Sequence, residues 1–565
     1  MKFHALGLAG LSLCAAPALA AALATSIDDA DHRQHVLHGS NSGFTPAKDG
    51  FSCDLPPPVA PPADDGLPAA ADVFGGPDAL ALQVHRLGEA VRVPSVSYDD
   101  MQDVDVDPRW AVFGELHRVF EELFPNVHRR MALTKVNKYG LLYVLNGTNT
   151  ALKPLMLTGH QDVVPVPDPS AWTYPPFSGH YDGTWLFGRG SVDDKNSVVA
   201  LLSAFESLLA NDGWTPRRGL VLAFGFDEES LGERGAGAIN AHLEALYGRD
   251  SMVLLVDEGG SGLDRVGDVL YALPGVAEKG QVNLYYELRV RGGHSSMPLP
   301  HTGIGIAAEL ITALEGNPFE PKLVEGSPLH HHYVCRARYS PEADPRVTRL
   351  VADNDLEALA DLLASYDPQL RFRLQTSQAV DIVRAGLKIN AMPEKVEIGV
   401  NYRVAPHQSL EAVKQRAVDL ATPIAKKYGI KLEAFGKKVS VGSNDVHAAY
   451  DVDYNATLVL TTPMELPVAP VTPTTGDVWD LFSGTIQDTF AFEGGRVVPV
   501  GDIMNGNTDT RSYLGLTRNI FRFEPMRPAW IQNFHAIDEG LHMEGHMEAV
   551  RFYYNLVRNF DASDV

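Results

Sequence analysis

Short apolar runs alternate with amphipathic ones across the first half of the chain. GLLYVLN (140–146), PLMLTG (154–159), LVLAFGF (220–226) and MVLLV (252–256) are too short for helices and rich in β-forming residues. Between the second and third, SVVALLSAFESLLAND (197–212) places Val198, Leu202, Phe205 and Leu209 on one helical face. Apolar strands separated by helices predict a mixed, mostly parallel α/β sheet covered by helices on both faces. From about residue 283 the text changes. NLYYELRVRGGHSSMP alternates like a half-exposed strand and GIAAELITALEGN follows as a helix. VEIGVNYRVAP and SLEAVKQRAVDLATPIAKKYG then repeat that order, with Ser409 as N-cap. Two such units predict a smaller α+β sandwich, residues 283–437, inserted between two parts of the larger domain, 78–282 and 438–565.

Composition narrows the class. With 565 residues, 45% hydrophobic, the chain can bury two domains, and 71 acidic against 47 basic residues argue against nucleic acid and anionic membranes as partners. MKFHALGLAGLSLCAAPALA (1–20) has a lysine, a short apolar core and an A-x-A ending, the pattern of a secretory signal rather than a span. Residues 21–77, with PPPVAPPADDG, read as a Pro-rich arm or pro-segment. The expected location is the secretory route, as a secreted or vacuolar protein with no integral membrane segment in the mature chain. In that setting Asn146-Gly147-Thr148 and Asn455-Ala456-Thr457 are glycosylation sequons, and Cys53 and Cys335 are the cysteines left outside the signal, their pairing open.

Candidate chemistry lies at the strand ends. PLMLTG runs into His160-Gln161-Asp162, LVLAFGF into Asp227-Glu228-Glu229, and MVLLV into Asp257-Glu258, while WLFGRGSV delivers Asp193-Asp194. Open α/β sheets place their ligand crevices at such ends. Crowded buried carboxylates repel one another and call for a cation. A pair of metal ions held by His, Asp and Glu would suit amide hydrolysis.

TGHQDVVPV, GRGSVDDKNS, FDEES, VDEGG, RGGHSSMP, GNTDTR and NFHAIDEG, in this order, resemble the co-catalytic zinc hydrolases of the aminoacylase and carboxypeptidase group. GNTDTR and HAIDE look most like its carboxypeptidase S, or Gly-Xaa carboxypeptidase, members. The resemblance implies two Zn2+ per subunit. His160 and Asp257 would hold one and Glu229 and His535 the other, with Asp193 bridging and followed by a cis peptide. Related enzymes place either Asp or Glu at this third carboxylate position, so Asp257 is favoured with Glu258 left open as the ligand, its other reading being a cap on the next turn. Asp162 would orient His160, and Glu228 would be the general acid/base. His294 would reach a partner subunit's site in a homodimer built through the insert, or act within one chain. Asn390, Arg403, Asn507 and Arg511 would bind substrate, Arg511 taking its free carboxylate. After Glu229 the chain reads SLGER (230–234) where the family often has a VGG-like text, which puts local geometry rather than activity in question.

These residues are expected to release C-terminal residues from short peptides. An N-acyl-amino-acid hydrolase or synthase is the nearest rival, and a non-catalytic zinc-binding protein the remote one. His330-His331-His332 reads as surface polarity.

Overall fold

The computed structural model describes residues 51–260, 262–441 and 452–565. The signal and the first part of the arm lie outside the described residues. The larger sheet has eight strands, in the order Ala132–Val136, Gly140–Leu145, Leu220–Gly225, Leu155–His160, Leu254–Asp257, Ile520–Arg522, Gly275–Glu278, Asp502–Met504. Its centre is parallel: Leu155–His160 pairs in parallel with both Leu220–Gly225 and Leu254–Asp257, and the latter with Ile520–Arg522. The GLLYVLN strand pairs antiparallel on both its edges.

Every residue of the two central strands Leu155–His160 and Leu220–Gly225 is buried, because both faces are covered. The period of two divides them. Leu155 and Leu157 join Leu220 and Leu222 under the helix Lys195–Leu209 and the final helix Met543–Ala562. Met156, Val221 and Leu255 face the helix Ala236–Tyr247 through Ile239 and Leu243. Leucine and valine side chains fully buried in this way contribute roughly 1.5–3 kcal/mol each.

The smaller sheet has six strands, in the order Ser377–Ala385, Lys395–Val404, Gly280–Arg289, Thr457–Leu466, Lys431–Ala434, Lys437–Val439. One face packs on the helices Gly303–Glu315 and Leu410–Tyr428, and Gly280–Arg289 shows the matching alternation of burial. This sheet draws on a strand beyond residue 437. Thr457–Leu466 pairs along most of Gly280–Arg289, with a bulge near Asn283, so backbone pairing across a long sequence gap carries the smaller sheet to residue 466.

Three further expectations are corrected. The helices Pro328–Tyr339, Pro345–Ala352, Leu356–Ala364 and Pro368–Leu374 share a core with Ala277 and Ile503 of the larger sheet's edge rather than with the smaller sheet. His332 of the triple histidine is buried in that layer, where its Nε2 accepts from Arg336 at 2.9 Å, so only His330 and His331 keep partial exposure. The arm from residue 51 is also part of the fold. Cys53 is joined to Cys335 with Cα atoms 5.2 Å apart, and Leu67 and Phe74 enter the main core.

Candidate metal centre and active site

The strand ends converge as the pattern implies. His160 closes its strand with Nε2 2.9 Å from Asp193 Oδ1, and His535 places Nε2 2.8 Å from Asp193 Oδ2 and 3.1 Å from Glu229 Oε1. One carboxylate therefore stands between two imidazoles, and the Asp193–Asp194 peptide is cis. Asp162 joins the next two elements. Its backbone oxygen lies 3.0 Å from His160 Nδ1, and its side chain accepts the N–H of Glu228 and of Glu229, each at 3.1 Å, and the Ser97 hydroxyl at 2.6 Å. The same residue sets the imidazole and the acidic turn.

Among the described hydrogen bonds, none joins the Asp257 side chain to these imidazoles. Asp257 follows Leu255 by two residues, and so lies on the sheet face that carries Tyr513. Its Oδ1 accepts the Glu258 N–H at 2.9 Å, and its electrostatic neighbours are His160, Glu278 and Arg522. Glu258, one residue past the strand, turns in instead and brings Oε1 to 3.4 Å from His160 Nε2. Geometry thus favours Glu258, the alternative the motif left open, over Asp257. Asp227 also turns away, accepting the N–H groups of Arg234 and Gly235 at 2.8 and 2.7 Å.

A second wall is cationic. Arg511 Nη2 lies 3.1 Å from the Glu228 carbonyl oxygen and 3.3 Å from Glu228 Oε1. Arg403 donates to Asn507 Oδ1 at 2.7 Å and lies within electrostatic reach of Arg511 and Glu228. A cavity of about 330 Å³ opens beside Arg511 and Asn507, lined by Leu231, Pro463, Met464 and Leu514 among others. His294 and Asn390 are not on this wall. They are exposed on the ribbon Gly293–His294/Ala391–Met392, where His294 Nδ1 bonds Ser296 at 2.8 Å and Asn390 accepts from Ser295.

The electrostatics ask for cations. Burial pushes the Glu228 carboxyl up to about 8 and Glu229 up to about 7. His535 is raised to about 10 by its bonds to Asp193 and Glu229. Burial works against a charged His160, yet Glu258, Asp162 and Asp193 outweigh it and hold the ring above its usual range. Acids that resist ionising beside imidazoles that retain protons mark a surplus of negative charge. Donor atoms of His160, Asp193 and Glu229 lie within 4.8 Å of one another, as do those of His160, Asp194 and Glu258. A His/carboxylate set of this kind suits divalent zinc. The similarly compact Cys53–His331–Cys335 group offers no thiolates, since the cysteines form a disulfide.

The sequence profile of the peptidase family M20/M25/M40 matches residues 156–559, which takes in every strand end described above. The chain belongs to this M20 peptidase family. It is 38% identical to carboxypeptidase S of Saccharomyces cerevisiae over 494 residues, 84% of each chain. It is 30% identical to the N-fatty-acyl-amino acid synthase/hydrolase PM20D1 of Bos taurus over 483 residues, 84% of this chain and 87% of that one. The structure of the dipeptidase Dug1p from Saccharomyces cerevisiae superposes with a TM-score of 0.59 at 13% identity, covering 88% of this chain and 99% of the other, and so bears on the fold alone. This M20 chain is therefore a hydrolase of the peptidase class, similar to carboxypeptidase S.

Two carboxylates behind the ligand candidates, Glu524 partly buried and Glu539 fully buried, escaped sequence reasoning. Glu524 accepts from Asn196 beneath Asp193 and Asp194, and Glu539 accepts the backbone N–H groups ahead of Asp193. Glu539 belongs to the HAIDEG text, so a signal was present, but nothing local says which backbone it meets.

Proposed function

We propose that this M20 hydrolase is a di-zinc carboxypeptidase that releases the C-terminal residue of short peptides, Gly-Xaa peptides among them. The observation carrying this reading is Asp193 set between His160 and His535, with Glu228 and Arg511 adjoining. His160, Glu258 and Asp193 would hold one zinc, and Glu229, His535 and Asp193 the other. Bound zinc supplies Lewis-acid polarisation of the scissile carbonyl and an acidified water. Glu228 takes the proton of the attacking water on its carboxylate and returns it to the leaving amine nitrogen. A carboxyl pushed up by burial suits that exchange near neutral pH. Arg511, with Arg403 and Asn507 beside it, binds the substrate's free carboxylate by paired N–H donors.

The first test is amino-acid release from a blocked Gly-Leu dipeptide by chelated protein, before and after zinc is restored. Release that disappears and returns with zinc supports the reading; no release from zinc-loaded protein rejects it. An N-acyl-amino-acid hydrolase is the second reading, favoured by the apolar side chains Leu231, Met464, Leu466 and Leu514 in the mixed cavity beside Arg511 and by the similarity to PM20D1. Long-chain acyl donors and peptidyl donors in one panel separate the two.

The oxidised Cys53–Cys335 pair and the exposed Asn146 and Asn455 sequons support passage through the secretory route, to the exterior or a vacuolar lumen. Among the described residues no helix is long and apolar enough to cross a membrane. The exposed side chains of Met297, Leu387 and Ile389 near His294 support a homodimer in which His294 serves the partner's site. Light scattering paired with His294→Ala kinetics tests this: a monomer with full activity in the variant rejects it.

A further inference from the structure

Glu539 is fully buried, yet no step of the proposed reaction uses it. Its Oε1 accepts the backbone N–H groups of Gly190, Val192 and Asp193 at 3.0, 2.9 and 3.3 Å, and its Oε2 accepts from Arg189 Nη1. Its own carbonyl oxygen accepts the Gly188 N–H at 2.9 Å, and the next residue, Gly540, pairs with Phe187. The carboxylate thus sits in a nest of N–H groups formed by the loop that ends in Asp193. That loop must curl tightly to aim three N–H groups at one oxygen. Gly190 permits it at φ +86°, where a Cβ would come within 2.6 Å of Val163 Cγ1.

Glu539 also lies four residues after His535. The segment between them is itself folded back, with Ala536 N–H on the Asn533 oxygen at 2.8 Å and Asp538 accepting from Thr173 N–H and hydroxyl, both at 2.7 Å. The Asp193 loop and the His535 loop are otherwise far apart in sequence. Glu539 ties one to the other.

We infer that Glu539 is a positioning residue that presets the spacing of Asp193 and His535, and so tunes the affinity of the site for its divalent ions. The inference rests on the di-metal reading above. Partners of this kind behind metal ligands typically change metal affinity by about 10–100-fold when altered. Glu539→Gln leaves an amide oxygen for the nest but turns an N–H2 group against the Arg189 guanidinium. Glu539→Asp keeps the charge and falls short of the nest.

The test is zinc titration of chelated protein in competition with a chromophoric chelator, with circular dichroism melting of each metal-free form. E539Q and E539D should bind zinc about 10–100-fold more weakly than wild type. Their kcat should fall more than their KM rises, because the Arg511 wall is untouched. Glu206→Gln is the control. Glu206 is another buried carboxylate on backbone N–H groups, those of Asn126 and Val127 at 2.9 and 3.0 Å, but at the far end of the helix Lys195–Leu209 that follows Asp194, and it makes no contact with the ligand loops among the described hydrogen bonds. It should keep wild-type zinc affinity at whatever cost in melting temperature.

Wild-type affinity in E539D, or equal weakening in E206Q, overturns the inference. If E539Q does not fold, E539D against E206Q decides. Wild-type protein that takes up no zinc would reject the metal reading itself, and the inference with it. Tight wild-type binding matched by E539Q and E539D would reject only the role of Glu539.

Discussion

Glu228 and Glu229 share one turn, and their environments assign them different work. Glu229 points at His535, whereas Glu228 points at Arg511 and bonds no imidazole among the described residues. Glu228→Gln keeps volume and removes the proton carrier. It should lower kcat by about 10²–10⁴-fold, with zinc stoichiometry unchanged by atomic absorption. The neighbouring pair Asp257 and Glu258 makes the sharper comparison. Glu258→Gln should weaken binding of one zinc, because its oxygen lies beside His160. Asp257→Asn should leave zinc affinity near wild type and register as lost stability, since Asp257 is buried on the opposite sheet face. Zinc titration of the two variants side by side checks both outcomes; the reverse order would restore Asp257 as the ligand. The adjacency of these residues was legible in the text, but which one turned inward was not. That depends on where the strand ends relative to its two-residue period.

At the scale of elements, the site depends on strands held in register by buried polar contacts as well as by apolar packing. Arg522, on Ile520–Arg522, donates Nη2 to Glu278 Oε2 at 2.9 Å and Nε to Thr510 at 2.9 Å, and Glu278 also receives the hydroxyls of Thr508 and Thr510. This network fastens the loop carrying Asn507 and Arg511 to two strands of the larger sheet. Arg522→Met strands the Glu278 carboxylate in the core and should cost roughly 3–5 kcal/mol, read from urea unfolding. The double variant Arg522→Met/Glu278→Gln should recover part of that loss. Strands and helices of the centre were readable because their apolar periods are strong. The Thr457–Leu466 strand joins the smaller sheet rather than the larger domain because it pairs with Gly280–Arg289, a partner far earlier in the chain that no local pattern can signal.

For the molecule as a whole, three buried histidines set one component of its dependence on pH. His117, His332 and His546 are held neutral, lowered to about 4, 3 and 3, with burial the largest cause in each. An unfolded chain binds protons at these positions near pH 6.5 and the folded one does not. Their contribution is therefore complete above about pH 6.5 and is lost as pH falls toward 4, by about 1.4 kcal/mol per pH unit for each group. In metal-free protein the raised Glu228, Glu229 and His535 act in the opposite sense, so the test is the difference between wild type and His332→Gln in urea unfolding at pH 7 and pH 5. The variant should lose less stability than wild type on going from pH 7 to pH 5; identical changes in the two proteins would show that His332 is not held neutral.

The sequence by itself determined the order of apolar strands and helices, the α/β class, and a set of carboxylates and histidines at strand ends. These are local properties: side-chain period, strand length and residue chemistry are all written within a few residues. The tertiary structure alone decided that Glu258 and not Asp257 meets His160, and that Thr457–Leu466 completes the smaller sheet. It also decided that Cys53 meets Cys335, and that Glu539 gathers the N–H groups before Asp193. Each of these joins residues distant in sequence, or turns on the direction a side chain takes at the end of an element, and the energy that selects it comes from packing and hydrogen bonding that exist only once the chain has closed on itself.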